Sequence, residues 1–176
     1  MQLVQRRVAL AASTANIPIQ QEVVQMAVRK SLADSSCPVA RALDIVGDRW
    51  ALLIVRDAFD GVRRFGQFQE NLEIARNILT DRLRRLVEAG VLEVIPASDG
   101  SAYQEYILTP KGEALFPVIV TLRQWGEANL FRRGEKRSQL LDRTSGKPVP
   151  KLTLRGQGGE MLAPADTFVK KVAVRM

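Results

Sequence analysis

The stretch Ala75-Arg76-Asn77-Ile78-Leu79-Thr80-Asp81-Arg82-Leu83-Arg84-Arg85-Leu86-Val87-Glu88-Ala89-Gly90-Val91-Leu92-Glu93-Val94-Ile95 changes its period once, at Gly90. Before the glycine, Leu79, Leu83 and Leu86 recur at helical spacing, and after it Val91–Ile95 reads as a strand. The spacing predicts a helix over 75–89, with Gly90 as its C-terminal stop. Leu79 marks the centre of its buried face. At roughly 100° per residue, Asn77, Asp81, Arg84 and Glu88 then lie opposite. Arg76 and Thr80 fall on one shoulder, Arg82 and Arg85 on the other. Four arginines against Asp81 and Glu88 leave the segment basic.

Working outward, Ser36-Cys37-Pro38 starts a helix with proline at its first position, and Val39, Ala42, Leu43 and Val46 follow at helical spacing up to Gly47. A second helix runs from Arg49 to Phe59, with Trp50, Leu53, Ile54 and Asp57-Ala58 near its buried side. Asp60-Gly61 is a turn, and Phe65, Phe68 and Leu72 mark a short third helix. Beyond the strand, Ala97–Ser101 turns the chain and Tyr103–Leu108 returns it. Thr109-Pro110 opens another helix that continues past Trp125, with a kink expected at Pro117. The tail holds strand-like Val149–Arg155 and Val169–Val174, which predict one or two hairpins.

Helix, helix, short helix, tight turn, helix and two-stranded ribbon is the order of a winged helix-turn-helix. The expected fold is mainly α with a small β-hairpin wing, an α+β arrangement, plus a short β-hairpin tail. Three segments follow: an N-terminal extension over 1–36, a DNA-binding and dimerisation domain over 37–131, and a basic β-rich extension over 132–176. Residues 1–25 read as an upstream extension or a start-site artefact, since Met26 precedes the first well-patterned helix.

A braced helix of this kind presents its outer face to the major groove, and its N-terminal half usually meets bases. That makes Arg76, Asn77, Thr80 and Asp81 the candidates for base edges. Arginine pairs bidentately with guanine, asparagine with adenine, and aspartate accepts from cytosine. Arg82, Arg84, Arg85 and Lys111 are the candidates for phosphates. The alternative is an ordinary amphipathic helix whose charges are solvated, with Asp81 pairing Arg84 or Arg85. The long helix after the wing carries Leu115, Val118, Ile119, Leu122 and Trp125 on one stripe, to be met by a partner helix or by the chain's own core.

Composition narrows the function further. The 176 residues hold 26 basic and 19 acidic side chains, a formal +7. Residues 37–134 carry thirteen of each, so the excess lies in the two ends and the candidate reader is neutral overall. Net charge by itself is therefore weak support for a polyanion partner. With no histidine, His-based general bases and imidazole metal sites are excluded. One cysteine excludes an internal disulfide and fits a reducing compartment. We find no Gly-rich phosphate loop, metal cluster or paired carboxylates, so the sequence reads as no enzyme and calls for no cofactor. No stretch has the length of a membrane span. The run Val8–Ala12 after Arg6 and Arg7 is too short for a secretion signal, so the expected location is cytoplasmic.

Several motifs agree in order and spacing with one family. Cys37-Pro38-Val39, Ala42-Leu43-Asp44-Ile45-Val46-Gly47-Asp48-Arg49-Trp50, Arg64-Phe65, Ile78–Leu86, Ala89-Gly90-Val91-Leu92 and Tyr106-Ile107-Leu108-Thr109-Pro110-Lys111-Gly112 resemble the HxlR-type bacterial winged-helix regulators. The resemblance covers about 37–130. It implies a cytoplasmic homodimer on pseudo-palindromic double-stranded DNA, most often a repressor, with no membrane partner. It also implies dimer contacts from the first helix and from about Glu113–Phe131. Some relatives sense oxidants or electrophiles near the position of Cys37, so a small-molecule or electrophile effector and a redox role for Cys37 are open; the alternative is a plain helix start. Two features depart from the family. Glu73-Ile74-Ala75 stands where many members have Gly and then Ser or Thr, and the tail exceeds the minimal domain. The other reading of the whole is a winged helix used for protein–protein contact without DNA.

Overall fold

The computed structural model describes residues 31–172. The extension read over 1–36 therefore lies outside the described residues up to position 30, as does the end of the strand expected at Val169–Val174.

The sequence punctuation becomes structure nearly residue for residue. Helix α1 spans Pro38–Val46 with Cys37 as an extended N-cap residue ahead of the proline. Helix α2 spans Arg49–Phe59, and its Asp48 cap accepts a hydrogen bond from the Trp50 amide at 2.9 Å. Helices α3 (Phe65–Leu72) and α4 (Arg76–Glu88) form the helix-turn-helix. Strands β1 (Leu92–Pro96) and β2 (Gln104–Leu108) pair antiparallel in the register Leu92 to Leu108 through Pro96 to Gln104, forming the wing.

One core holds these elements. Ile54 and Val55 of α2, Phe68 of α3, Leu79, Leu83 and Leu86 of α4 and Leu92 of β1 are buried together. Each such side chain contributes about 1.5–3 kcal/mol through burial. Thr109 then closes the wing against α4: its amide donates to the Val91 carbonyl at 3.1 Å and its hydroxyl to the Gly90 carbonyl at 2.6 Å. Gly90, at φ 67°, supplies the left-handed residue that ends α4. Gly112 is needed for closeness, since a Cβ there would stand 2.2 Å from the Val91 carbonyl oxygen.

The helix after the wing is broken. A short α5 (Pro110–Glu113) gives way at Ala114-Leu115 to α6 (Phe116–Asn129), with Pro117 in the first turn of α6. The kink expected at Pro117 thus takes the form of a break just ahead of it, where a proline lacking its amide is tolerated. The apolar stripe of α6 also divides. Leu115 and Ile119 pack against the core, whereas Val118, Leu122 and Trp125 are about half exposed. On α1, Val39 and Leu43 are likewise exposed, and only Val46 is buried.

The expected hairpin tail is not shown. Among the described residues the tail holds two isolated bridges, Leu141 with Pro148 and Arg155 with Met161, and a 3-10 turn at Pro164–Asp166. The strand-like Val149–Arg155 meets backbone at its two ends, where the Val149 amide donates to the Leu140 carbonyl and the Leu154 carbonyl accepts from the Leu162 amide, and a side chain between them. The Gln124 amide donates to the Pro150 carbonyl at 3.0 Å and accepts from the Leu152 amide at 2.9 Å. The middle of the segment is thereby tied to α6.

Candidate nucleic-acid interface

Helix α4 is set from behind and open in front. Leu79, Leu83 and Leu86 fix its inner face at 1% exposure or less. On its outer side Arg76, Asn77, Thr80, Asp81 and Arg84 line one open depression. The four candidates for base contact are therefore brought together on a single face. The Asn77 side chain makes no hydrogen bond to another described residue, and Arg76 has no carboxylate within ion-pairing distance among them. The Arg76 guanidinium instead rests 5.6 Å from the Phe65 ring centroid, at the start of α3. The Thr80 hydroxyl is turned back to the Arg76 carbonyl at 2.9 Å.

The remaining cations of α4 are engaged with one another's partners. Asp81 pairs with Arg84 at 2.7 Å, with Arg85 at 2.9 Å and also with Arg82. Arg84 holds Glu88 as well, at 2.7 Å. Burial alone would raise the Asp81 pKa; hydrogen bonds from Arg84 and Arg85, with the charges of Arg85 and Arg82, outweigh it and hold the carboxyl below the ordinary value. This is the Asp81 pairing foreseen in the amphipathic-helix alternative, and it coexists with an Arg76 and an Asn77 side chain that have no ion pair or hydrogen bond among the described residues.

Arg82 and Lys111 hold the fold together. Arg82 reaches across to the α2 cap, donating to Asp48 at 2.9 and 3.2 Å, and its side chain is 22% exposed. The Asp48 carboxyl, which burial would raise, is lowered by Arg82 and by the Trp50 and Ala51 amides. Lys111 donates to the Ala89 carbonyl at 2.7 Å, a cation on the negative end of α4. Arg84 and Arg85 remain 55% and 62% exposed, so of the four phosphate candidates these two keep an open outer side.

Sequence reasoning missed the anchor of the wing. Glu105 of β2 is buried at 3% exposure and lies 3.6 Å from both Arg63 and Arg64. Arg64 also pairs with Asp99 in the wing turn, and that pairing holds the Asp99 carboxyl far below its usual range. The Tyr106 amide donates to the Arg63 carbonyl at 2.8 Å, extending the wing by one link. Arg64, Phe65, Arg76 and Tyr103 consequently border one broad cleft between the wing and the helix-turn-helix. The signal available beforehand was an acidic residue at an inward strand position, preceded in the chain by two adjacent arginines.

Cys37 is exposed at the start of α1. Its amide donates to the Ser35 hydroxyl at 3.1 Å. Among the described residues no group of His, Cys, Asp and Glu is placed to hold a metal ion, and no helix is long and apolar enough to cross a membrane.

Comparison with known proteins agrees with this arrangement. The HxlR-like helix-turn-helix family profile matches residues 45–134. The HTH-type transcriptional regulator Rv3095 of Mycobacterium tuberculosis is 46% identical over 142 residues, covering 77% of this chain and 90% of its own. The HTH-type regulator YdeP of Bacillus subtilis is 36% identical over 92 residues, 52% of this chain and 72% of its own. Among solved structures, PA1607, described as a candidate transcription factor, superposes with a TM-score of 0.77 at 53% identity, over 81% of this chain and all of that one. The oxidised redox regulator HypR gives a TM-score of 0.50 at 31% identity, over 55% of this chain and all of that one.

Proposed function

Because the chain belongs to the HxlR-like helix-turn-helix family of transcriptional regulators, we propose that it reads double-stranded DNA as a homodimer, each protomer inserting α4 into the major groove of a pseudo-palindromic operator. The observation that carries this reading is the single outer face on which Arg76, Asn77, Thr80, Asp81 and Arg84 converge, on a helix held rigidly by its buried leucines. Arg76 and Asn77 contact base edges; Arg84 and Arg85 meet the flanking phosphates. Thr80 and Asp81 complete the reading face, while Arg82 and Lys111 position α4. Arg64 and Tyr103 set the wing against the backbone beyond. The dimer forms through Val118, Leu122 and Trp125, with the exposed Val39 and Leu43 of α1 continuing the apolar surface. Residues 37–131 act as the DNA-binding and dimerisation unit and 132–176 as an appendage of it. The protein acts in the cytoplasm as a repressor, answering to a small effector.

The test is selection on random DNA followed by gel shift on the selected and scrambled sites. Arg76→Ala and Asn77→Ala each lower affinity for the selected site by about 1–3 kcal/mol and leave scrambled DNA unaffected. Arg85→Ala weakens both and flattens the salt dependence by about one unit of slope. Equal binding of the wild type to both sites would overturn the reading, and no binding at low salt would favour a protein-interaction module.

Cys37 supports a second, narrower proposal. The thiol is exposed beside the α1 face offered to a partner, and HypR is a redox regulator. Oxidation at Cys37, through a bond to another chain or to a small thiol, is then an input to DNA binding. Cys37→Ser abolishes any response of the gel shift to a disulfide oxidant; an unchanged response removes this role.

A further inference from the structure

Away from the reading face, α2, α6 and the start of the tail border an open cavity of about 240 Å3. Its walls are apolar, built from Leu52 and Leu53 of α2, Ile119 and Leu122 of α6, and Phe131. Three guanidiniums reach it, against one lining carboxylate, Glu127. Two of the three are occupied. Arg56 pairs with Asp57 at 2.6 Å, and Arg123 faces Glu127 at 3.6 Å while donating to the Ser138 carbonyl and hydroxyl at 3.1 and 3.0 Å. Arg137 has no carboxylate partner among the described residues; its guanidinium rests 5.9 Å from the Phe131 ring centroid. The cavity thus combines an apolar interior with one uncompensated positive charge at its edge.

Gly126 is an independent observation pointing the same way. It lies inside α6, where glycine weakens a helix relative to alanine. A Cβ added there would meet nothing within 4 Å, so no close approach of this chain demands a glycine. Gly126 lines the cavity, so a side chain there would enter space that this chain leaves open.

We propose that this cavity binds one small organic monoanion carrying a single aromatic ring. The ring lies among Leu52, Leu53, Ile119 and Phe131, and the anionic oxygens meet Arg137. An apolar cavity of about 150 Å3 is enough for benzene, so this volume suits one ring with a charged substituent and falls short of the roughly 300–1,000 Å3 of larger ligand sites. A guanidinium suits such an anion because its planar fork matches a carboxylate. The effect on DNA rests on the regulator reading: α2 is tied to α4 through Asp48 and Arg82, and Leu122 belongs both to the cavity wall and to the proposed dimer stripe. Binding itself does not rest on it.

The experiment uses the full chain without DNA and three probes: benzoate, its uncharged analogue benzamide, and the cation benzylamine. Calorimetry should show saturable binding of one benzoate per chain, with benzamide weaker by about ten-fold and benzylamine silent, and a rise in Tm with benzoate alone. Gly126→Leu fills the floor and abolishes benzoate binding, and Arg137→Gln reduces it to the benzamide level. If Gly126→Leu fails to fold, Gly126→Ala, which adds one methyl to open space, should still weaken benzoate binding. Absence of saturable benzoate binding at millimolar concentrations would overturn the proposal, as would binding that Gly126→Leu and Arg137→Gln leave unchanged. So would a shift in the monomer–dimer equilibrium in Gly126→Leu with benzoate affinity intact, which assigns the cavity to the subunit interface. A protein that binds benzoate but no DNA keeps the site and loses only the regulator reading.

Discussion

Helices α4 and α6 are each anchored by a buried apolar edge, yet they offer solvent opposite chemistry. The outer face of α4 is arginine, asparagine and threonine around a carboxylate, whereas that of α6 is valine, leucine and tryptophan. A polar face is at ease in water and becomes informative only when a partner arrives. An exposed apolar face is a standing liability unless something covers it, and α6 adds Leu130 and Phe131 beyond its end. The two helices therefore suit the two partners proposed for them, a polyanion for one and a second protein surface for the other.

The sharpest way to break the comparison is to swap the face that is cut. Leu83→Ala removes a side chain at 1% exposure under α4 and should cost about 2–5 kcal/mol in urea unfolding, with DNA binding lost along with the fold. Leu122→Asp on α6 should behave differently. At 49% exposure Leu122 contributes little to the monomer, so unfolding of dilute protein shifts by less than about 1 kcal/mol. Sedimentation, however, should show dimer association weakened by about 2 kcal/mol or more, the scale of an interface hot spot. Equal effects of the two substitutions on monomer stability would mean that both faces serve the same core.

Within α4 a smaller effect separates the two ends of the helix. Asp81→Asn releases Arg82, Arg84 and Arg85 from their shared carboxylate. Exposed ion pairs of this type are worth about 0–1 kcal/mol, so stability changes little. One more net positive charge should instead strengthen binding to every DNA and steepen its salt dependence by about one unit of slope. Discrimination between selected and scrambled sites then falls. The pH consequence has a definite sign. The folded Asp81 pKa is depressed, so its stabilising contribution is fully present above the unfolded value of about 3.9 and is lost as pH falls through the folded value. Between about pH 5 and 8 the wild type should therefore keep a small, constant advantage over Asp81→Asn, and the two unfolding profiles should converge as the pH falls below that window.

The fold was legible where the code is local. The boundaries of α2, α3 and α4 follow from the spacing of their apolar residues, from Asp60-Gly61 as a turn and from Gly90 as a stop, all within a few residues of the elements they define. Long-range partners were not legible. Arg82 sits on a helix shoulder that looks free until Asp48, 34 positions away, is folded against it. Nothing near Lys111 in the chain reveals that the Ala89 carbonyl lies within its reach. The five apolar residues of α6 share a stripe in projection, but the core meets only one side of that stripe, which separates Leu115 and Ile119 from Val118, Leu122 and Trp125. Strand propensity over Val149–Arg155 predicted a hairpin that is not shown, and one partner the segment bonds, Gln124, is a helix side chain that no pairing rule names.

The smallest predicted effect concerns the joint that aims α4. Glu73 closes α3 at φ 48° and ψ 38°, left-handed, and it is the one non-glycine residue with positive φ among the described residues. A side chain in that region costs about 1–2 kcal/mol, and glycine returns part of that gain through its freer unfolded chain. Glu73→Gly should therefore stabilise the protein by about 0.5–1 kcal/mol, a rise in Tm of roughly 1–4 °C. The residue matters beyond its size because Ala75 caps α4 without a side-chain hydrogen bond, so the first turn, with Arg76 and Asn77, depends on the joint for its direction. If affinity for the selected site rises together with Tm, the strained joint was limiting how well that turn is held. If Tm rises and affinity does not, the core leucines alone aim the reading face, and the polar front of α4 is as firmly set as the apolar front of α6.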